Sequence, residues 1–285
     1  MSAPATADAE RLPEVARLLA TVMRRKRPWL AELRWQYLEN PLGPALWINA
    51  TDEHGAIVAH YALLPLPPVD DPRFASLKTF LSLNVAVHPG ITQPGLMIAT
   101  TRALLQHAAS LGPTLVLGVA NANAVQGFTR LLRFESLGQL SLRFFPPWRF
   151  PHVHTERALR PDGEFLRWRV ARPEADHFVR LDQGALVRRT RHQGLRLDVL
   201  LALGLPRETL TGLGLPAVPR AWWPFVPRLY AASGPDPERG LPIPERLRPS
   251  PLHYIFKVFA PGFDSAPLAE FLSRRRFEFV DFDVV

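Results

Sequence analysis

At 285 residues, with 47% hydrophobic and 21% charged side chains, the chain has an ordinary folded-protein composition and length for two domains, which excludes general disorder. It contains no cysteine, so disulfides, thiolate catalysis, an acyl-cysteine intermediate and cysteine-based zinc sites are excluded together. A formal charge of +8 raises nucleic-acid binding, but the basic groups at 24–27, 188–189 and 274–276 carry no interleaved aromatics on which bases could stack, so nucleic acid is not expected as a partner.

The stretch 1–10 is small and acidic and lacks the basic and apolar segments of a secretion signal, and no apolar run reaches the ~18 residues of a membrane span. A cytoplasmic protein without a membrane partner is expected. Residues 8–23 read as an amphipathic helix, with Leu12, Val15, Leu18, Leu19 and Val22 at three- and four-residue steps, until Pro28 interrupts it. A short helix over 31–38 ends at the turn cluster Asn40-Pro41-Leu42-Gly43-Pro44. Apolar runs at 45–51 and 56–64 flank Asp52-Glu53-His54-Gly55, a hairpin signal.

A strand over 76–88, a loop, a helix over 96–111, a strand over 114–120, a helix over 123–132 and a strand over 135–144 then complete a mixed α/β sheet. The strand-loop-helix step carries the most information. A helix opening after His88-Pro89-Gly90-Ile91-Thr92-Gln93-Pro94-Gly95 offers first-turn N–H groups to an anion such as a diphosphate, although Pro94 has no N–H to give.

Pro146-Pro147-Trp148-Arg149-Phe150-Pro151 breaks this order and places the expected boundary between domains at 1–147 and 148–285. In the second, strands are expected at 166–170, 178–181, 185–191 and 195–203, irregular chain over 216–249, and strands at 252–259 and 277–284 around a helix over 265–275. His152 and His154 lack a third ligand, so no metal is expected.

Taken in order, Trp35-Gln36-Tyr37-Leu38-Glu39-Asn40-Pro41, Val58-Ala59-His60-Tyr61-Ala62-Leu63-Leu64-Pro65, Val85-Ala86-Val87-His88-Pro89, Gly95-Leu96 and Val119-Ala120-Asn121-Ala122-Asn123 leading to Phe134 resemble the GNAT superfamily of acyl-CoA N-acyltransferases. The likeness covers about residues 8–147 and is nearest to the bacterial branch found near polysaccharide and amino-sugar biosynthesis. It implies a GNAT fold in the N-terminal half and a reduced GNAT-like α/β domain in the C-terminal half, the tandem form suggested by Phe277-Glu278-Phe279-Val280-Asp281-Phe282-Asp283-Val284. It also implies acetyl-CoA or another acyl-CoA as co-substrate, with direct transfer to a small-molecule amine such as an amino sugar. A homodimer is left open.

The resemblance assigns the diphosphate to the loop over 92–97, through Thr92, Gln93, Gly95, Leu96 and Met97. Thr92 stands where the family has arginine, Gln93 where it has glycine and Met97 where it has a small residue. Val85 and Val87 are assigned the pantetheine arm through backbone groups, one N–H being left for the thioester oxygen. Asn121, Asn123 and Phe128 fall on the helix after the second core strand, and Phe128 and Thr129 occupy the place of the family's acid tyrosine, which leaves that role unfilled.

On the acceptor side the candidates are Tyr37, with Glu39 beside it, His60 as base, and Tyr61 as donor to the leaving thiolate or as orienting group. Adjacent strand residues face opposite sides, so one of His60 and Tyr61 is structural. The incomplete loop and absent tyrosine keep open an alternative: a non-catalytic GNAT-like binding module.

Overall fold

The computed structural model describes residues 9–23, 27–146, 149–151, 153, 155–192, 195–218, 226–233, 240–243 and 251–282. The chain divides into two compact units, Met1–Ser136 with Ile255–Asp264, and Leu137–Tyr254 with Ser265–Val285. The division falls ahead of the proline cluster at 146–151, and a C-terminal strand returns to the first sheet.

In the first unit, α1 (Leu12–Met23) buries Leu12, Val15, Leu18 and Leu19, the stripe its spacing dictates. Helix α2 (Trp29–Leu38) follows Pro28 and buries Trp35, Gln36 and Tyr37. Strands β1 (Leu46–Thr51) and β2 (Ile57–Pro65) form the hairpin, whose turn is held by Asp52 Oδ1 accepting from the N–H groups of His54 at 3.0 Å and Ala56 at 2.9 Å. β2 is buried at every position, as a strand covered on both faces must be.

Strand β3 (Lys78–Val87) pairs antiparallel with β2, and helix α3 (Leu96–Ser110) carries the chain over to β4 (Thr114–Ala120), which runs parallel to β3. Helix α4 (Ala122–Gln126) continues into a π-helical turn at Gly127–Leu131, and β5 (Glu135–Gln139) follows. Between them stands Arg133 at φ +60, the left-handed region that favours glycine.

The second unit opens with β6 (Ser141–Phe145) and α5 (Gly163–Val170). The meander β7 (Asp176–Arg180), β8 (Ala185–His192) and β9 (Leu195–Ala202) leads through a short helix α6 (Arg207–Thr211) to β10 (Arg228–Ala232), which lies parallel to β9. β11 (Leu241–Pro242), β12 (His253–Phe259) and α7 (Ala266–Arg274) close the chain. The two sheets run β1-β2-β3-β4-β12-β5 and β11-β6-β10-β9-β8-β7. Each holds a three-strand antiparallel meander joined by a helix to a parallel fourth strand, so the topology repeats where the sequence does not.

Several expectations are corrected. The strand read over 135–144 is two strands, β5 and β6, parted at buried Leu140 and belonging to different sheets. The strand read over 166–170 is helix α5, because Asp162 Oδ1 caps the N–H of Phe165 at 2.8 Å and starts a helical turn. The strand read over 277–284 is a series of turns with isolated bridges as far as 282, and its last two residues lie outside the described ones. Within 216–249, expected to be irregular, the chain forms β10 and β11. His152 and His154 also lie outside the described residues. Among the described residues no helix is long and apolar enough to cross a membrane.

Candidate functional site

The feature that organises the site is a fork in the first sheet. β3 and β4 pair from Lys78↔Thr114 to Ser82↔Gly118 and no further, although β3 runs on to Val87 and β4 to Ala120. At the same place β3 carries one extra residue: Ala62 faces Leu83 and His60 faces Ala86, so Asn84 and Val85 together oppose Tyr61. Asn84 takes φ +53, a conformation asparagine tolerates better than most residues.

The bulge resets which way the peptide groups point. The His88 N–H donates to Val58 O at 2.8 Å, so residue 88 faces β2 and, by the alternation of extended backbone, so does 86. The peptide groups of Val85 and Val87 therefore face away from β2, into the fork. Their side chains pack against the core clusters beneath α3 and β2 respectively.

Helix α3 begins at the mouth of the fork. Gly95 is its N-cap at φ +76, with no side-chain cap and with nothing within 4 Å of the place a Cβ would take. Thr92, Gln93, Pro94 and Gly95 are all exposed. Gln93 O lies 3.5 Å from the Leu96 N–H, and the first-turn N–H groups that follow, on Met97 and Ile98, have no carbonyl of their own helix within reach. The Leu96 side chain is buried with Ala50, Val58 and Ala59, so only its backbone belongs to the loop. Met97 lies against Gly127, with its Cε 3.0 Å from where a Cβ there would stand. Glycine at 127 thus lets the helical segment after β4 close onto the first turn of α3.

Asn121 is the N-cap of α4: its Oδ1 accepts from the N–H groups of Asn123 at 3.1 Å and Ala124 at 2.9 Å. Asn123, two residues further on, is exposed. The Phe128 ring, expected at the ligand, is buried and meets Phe134 edge-on at 5.1 Å within the core of the first unit. Thr129 turns back to donate to Val125 O at 2.8 Å.

On the other face of β2 a buried polar chain runs up to the bulge. His60 Nδ1 lies 2.7 Å from Asn49 Oδ1 and its Nε2 lies 2.8 Å from the Tyr37 hydroxyl, which also accepts from Asn84 Nδ2 at 2.8 Å. The Asn84 amide has a second acceptor in Gln36 Oε1 at 3.2 Å. One proton arrangement satisfies every member: His60 donates from Nδ1 to Asn49, and Tyr37 donates to Nε2. Tyr37 also stacks on Trp47 and on the His60 ring at 5.1 and 5.8 Å.

Burial lowers the His60 pKa to about 3, since a buried imidazole with both nitrogens engaged holds a positive charge poorly. Burial also raises the Tyr37 phenol well above its usual range, partly offset by its Asn84 hydrogen bond. Tyr61 faces the opposite side from His60, as the alternation requires, and donates to Ser82 Oγ at 3.0 Å, at the last paired residue before the fork. Its phenol too is held neutral by burial.

The sequence reading missed Asn49, Gln36 and Asn84. The one available signal was Asn84 itself, a polar residue tolerant of positive φ inside the apolar run 80–87.

No family model matches the chain and no curated protein matches it by sequence. Solved structures do. A GCN5-related N-acetyltransferase from Kribbella flavida aligns over 88% of this chain and 69% of its own, with 13% identity and a TM-score of 0.56. A probable N-acyltransferase from Enterococcus faecalis aligns over 88% and 69%, with 10% identity and a TM-score of 0.55. A GCN5-related N-acetyltransferase from Anabaena variabilis aligns over 89% and 71%, with 10% identity and a TM-score of 0.52. Identities this low carry the fold and not the activity. The chain has the fold of the GCN5-related N-acetyltransferases, built as two mixed α/β units.

Proposed function

We propose that the first unit binds an acyl-CoA, acetyl-CoA being the simplest, and transfers its acyl group to the amine of a small molecule such as an amino sugar. The observation that carries this reading is a coincidence of position: the strands part past Ser82 and Gly118 where α3 presents its first-turn N–H groups. The residues fit the co-substrate. Exposed Thr92, Gln93 and Gly95 with the N–H groups of Met97 and Ile98 suit a diphosphate, and the peptide groups of Val85 and Val87 suit pantetheine amides.

Bound acyl-CoA supplies an activated thioester carbon: the amine forms the new C–N bond there, the C–S bond breaks, and the thiol departs with the proton the amine gives up. The backbone around Val85 directs an N–H into the fork, where it would stabilise negative charge on the thioester oxygen. Tyr61 and Ser82 place two hydroxyls at the point of parting; burial keeps the Tyr61 phenol protonated, so it holds Ser82 by donating to its Oγ and leaves the Ser82 hydroxyl free to donate a hydrogen bond to the leaving sulfur. His60 does not deprotonate the amine, so the amine arrives neutral or loses its proton to solvent. His60 and Tyr37 instead brace Asn84.

The low His60 pKa and the core position of Phe128 favour a second reading, a module that binds acyl-CoA without turning it over. Thiol release from acetyl-CoA in the presence of a panel of amino sugars and polyamines separates the two. Amine-dependent release supports transfer, and tight CoA binding without release supports the module.

A further inference from the structure

The second unit repeats the fork geometry. β9 carries one extra residue, since Val187 faces Leu200 while Leu186 faces Ala202, as β3 carries one extra opposite Tyr61. β9 pairs in parallel with β10 from Asp198↔Arg228 only to Leu200↔Tyr230. In the first unit β3 has no pairing with β4 past that point. Here the peptide groups past that point are taken by the chain itself: the Val280 N–H donates to Leu201 O at 2.9 Å, the Leu203 N–H donates to Glu278 Oε1 at 3.3 Å, and the Arg276 guanidinium donates to Leu203 O at 3.4 Å.

What holds that segment is a buried charge cluster. Glu278 Oε1 also accepts from the Tyr230 hydroxyl at 2.7 Å and Arg276 Nη1 at 2.8 Å, and its Oε2 accepts from Arg157 Nη1. Arg157 Nη2 donates to Asp281 Oδ1 at 2.7 Å, and Asp281 Oδ2 accepts the Glu278 N–H at 2.8 Å. Two carboxylates without solvent exposure, Glu278 and Asp281, face the guanidinium groups of Arg157 and Arg276, and a third, Arg169, donates to Val280 O at 2.7 Å, so breaking an ion pair would strand a buried charge. Phe277 stacks on Tyr254 and Phe282 at 4.6 and 5.4 Å and seals the same segment with apolar area.

We propose that the segment 276–281 is a resident peptide ligand of the second unit, occupying, by backbone and side-chain hydrogen bonds to Leu201 and Leu203, the place that corresponds to the fork of the first. The second unit is then a closed scaffold, and the chain takes one CoA rather than two. The occupancy of the groove stands on the contacts just given, and only the comparison with a CoA-binding first unit rests on the proposed function.

Residue-resolved hydrogen exchange on the full chain, with and without saturating CoA, tests this without a variant that risks misfolding. The expected result is that the amides of Leu203 and Val280 exchange slower than unstructured amides by about a thousandfold or more, as core amides do. CoA leaves them unchanged, protects the first turn of α3, and titrates to a ratio of one per chain. Rapid exchange at Val280, a change there on adding CoA, or a ratio of two would overturn the proposal. Slow exchange at Leu203 and Val280 with no effect of CoA on any amide would uphold the closed groove while removing the acyl-CoA reading of the first unit.

Discussion

The Asn84 carboxamide donates to the Tyr37 hydroxyl at 2.8 Å from a backbone held at φ +53, so one residue both forms the bulge of β3 and ties it to α2. Replacing Asn84 by alanine removes two side-chain hydrogen bonds and leaves a Cβ residue in the left-handed region, a combined cost of about 2 kcal/mol in urea unfolding. Asn84→Gly relieves the backbone and loses only the bonds, about 1 kcal/mol. Because the bulge directs the Val85 N–H into the fork, both variants are expected to lower kcat by about tenfold or more while KM for acyl-CoA changes little. Equal losses in KM would place Asn84 in ground-state binding instead.

His60 gives the chain a signature in acid. Its folded pKa of about 3 lies below the unfolded value near 6.5, so the unfolded chain binds the extra proton between those values and stability falls as pH drops through that window. From pH 7 to pH 5 the loss from His60 amounts to about 2 kcal/mol. His177, lowered to about 4 by burial and then by Arg188 and Arg172, adds in the same direction. His60→Gln should flatten the dependence of unfolding free energy on pH by roughly that first amount. It should leave the acid limb of kcat/KM at its original pH. A shifted acid limb would return His60 to the role of base.

At Gly95 the backbone demands glycine, at φ +76, while the space around it is open. Gly95→Ala should therefore cost only about 1 kcal/mol of stability, the backbone penalty alone. Its methyl group stands where the diphosphate is read to approach, so CoA affinity should fall about tenfold or more, equivalent to at least ~1.4 kcal/mol. Calorimetric titration of the variant checks both parts.

Much of the first unit was legible in the sequence because its elements are long and periodic. The spacing of Leu12, Val15, Leu18 and Leu19 marks α1, and the Asp52 to Gly55 link marks the hairpin. The strand-loop-helix step from β3 into α3 appears where its composition puts it. What stayed hidden depends on pairing between distant segments. No local signal says that β12 enters the first sheet, that β4 leaves β3 after Gly118, or that Phe277 and Phe279 belong to turns around buried Glu278 and Asp281. His60 shows the same limit in chemistry, since its residue type suggests a base while its burial and lowered pKa emerge only from the fold.

Arg133 offers a stabilising change. It is exposed at φ +60, and its charge, after burial and Arg102, helps to lower the pKa of Lys257. Arg133→Gly should raise stability by roughly 0.5–1 kcal/mol, the left-handed penalty relieved less the entropy glycine adds to the unfolded chain. A thermal unfolding midpoint raised by a degree or more bears this out, and a lowered one contradicts it.

The central claim is that the fork between β3 and β4, with the amides opening α3, takes a CoA. The most direct measurement is calorimetric titration of the full chain with CoA, alongside titration with inorganic diphosphate alone. One CoA per chain is expected with a Kd below about 1 mM, and weaker binding of diphosphate, which lacks the pantetheine arm that Val85 and Val87 would hold. Absence of CoA binding at millimolar ligand would contradict it and leave only a shared architecture.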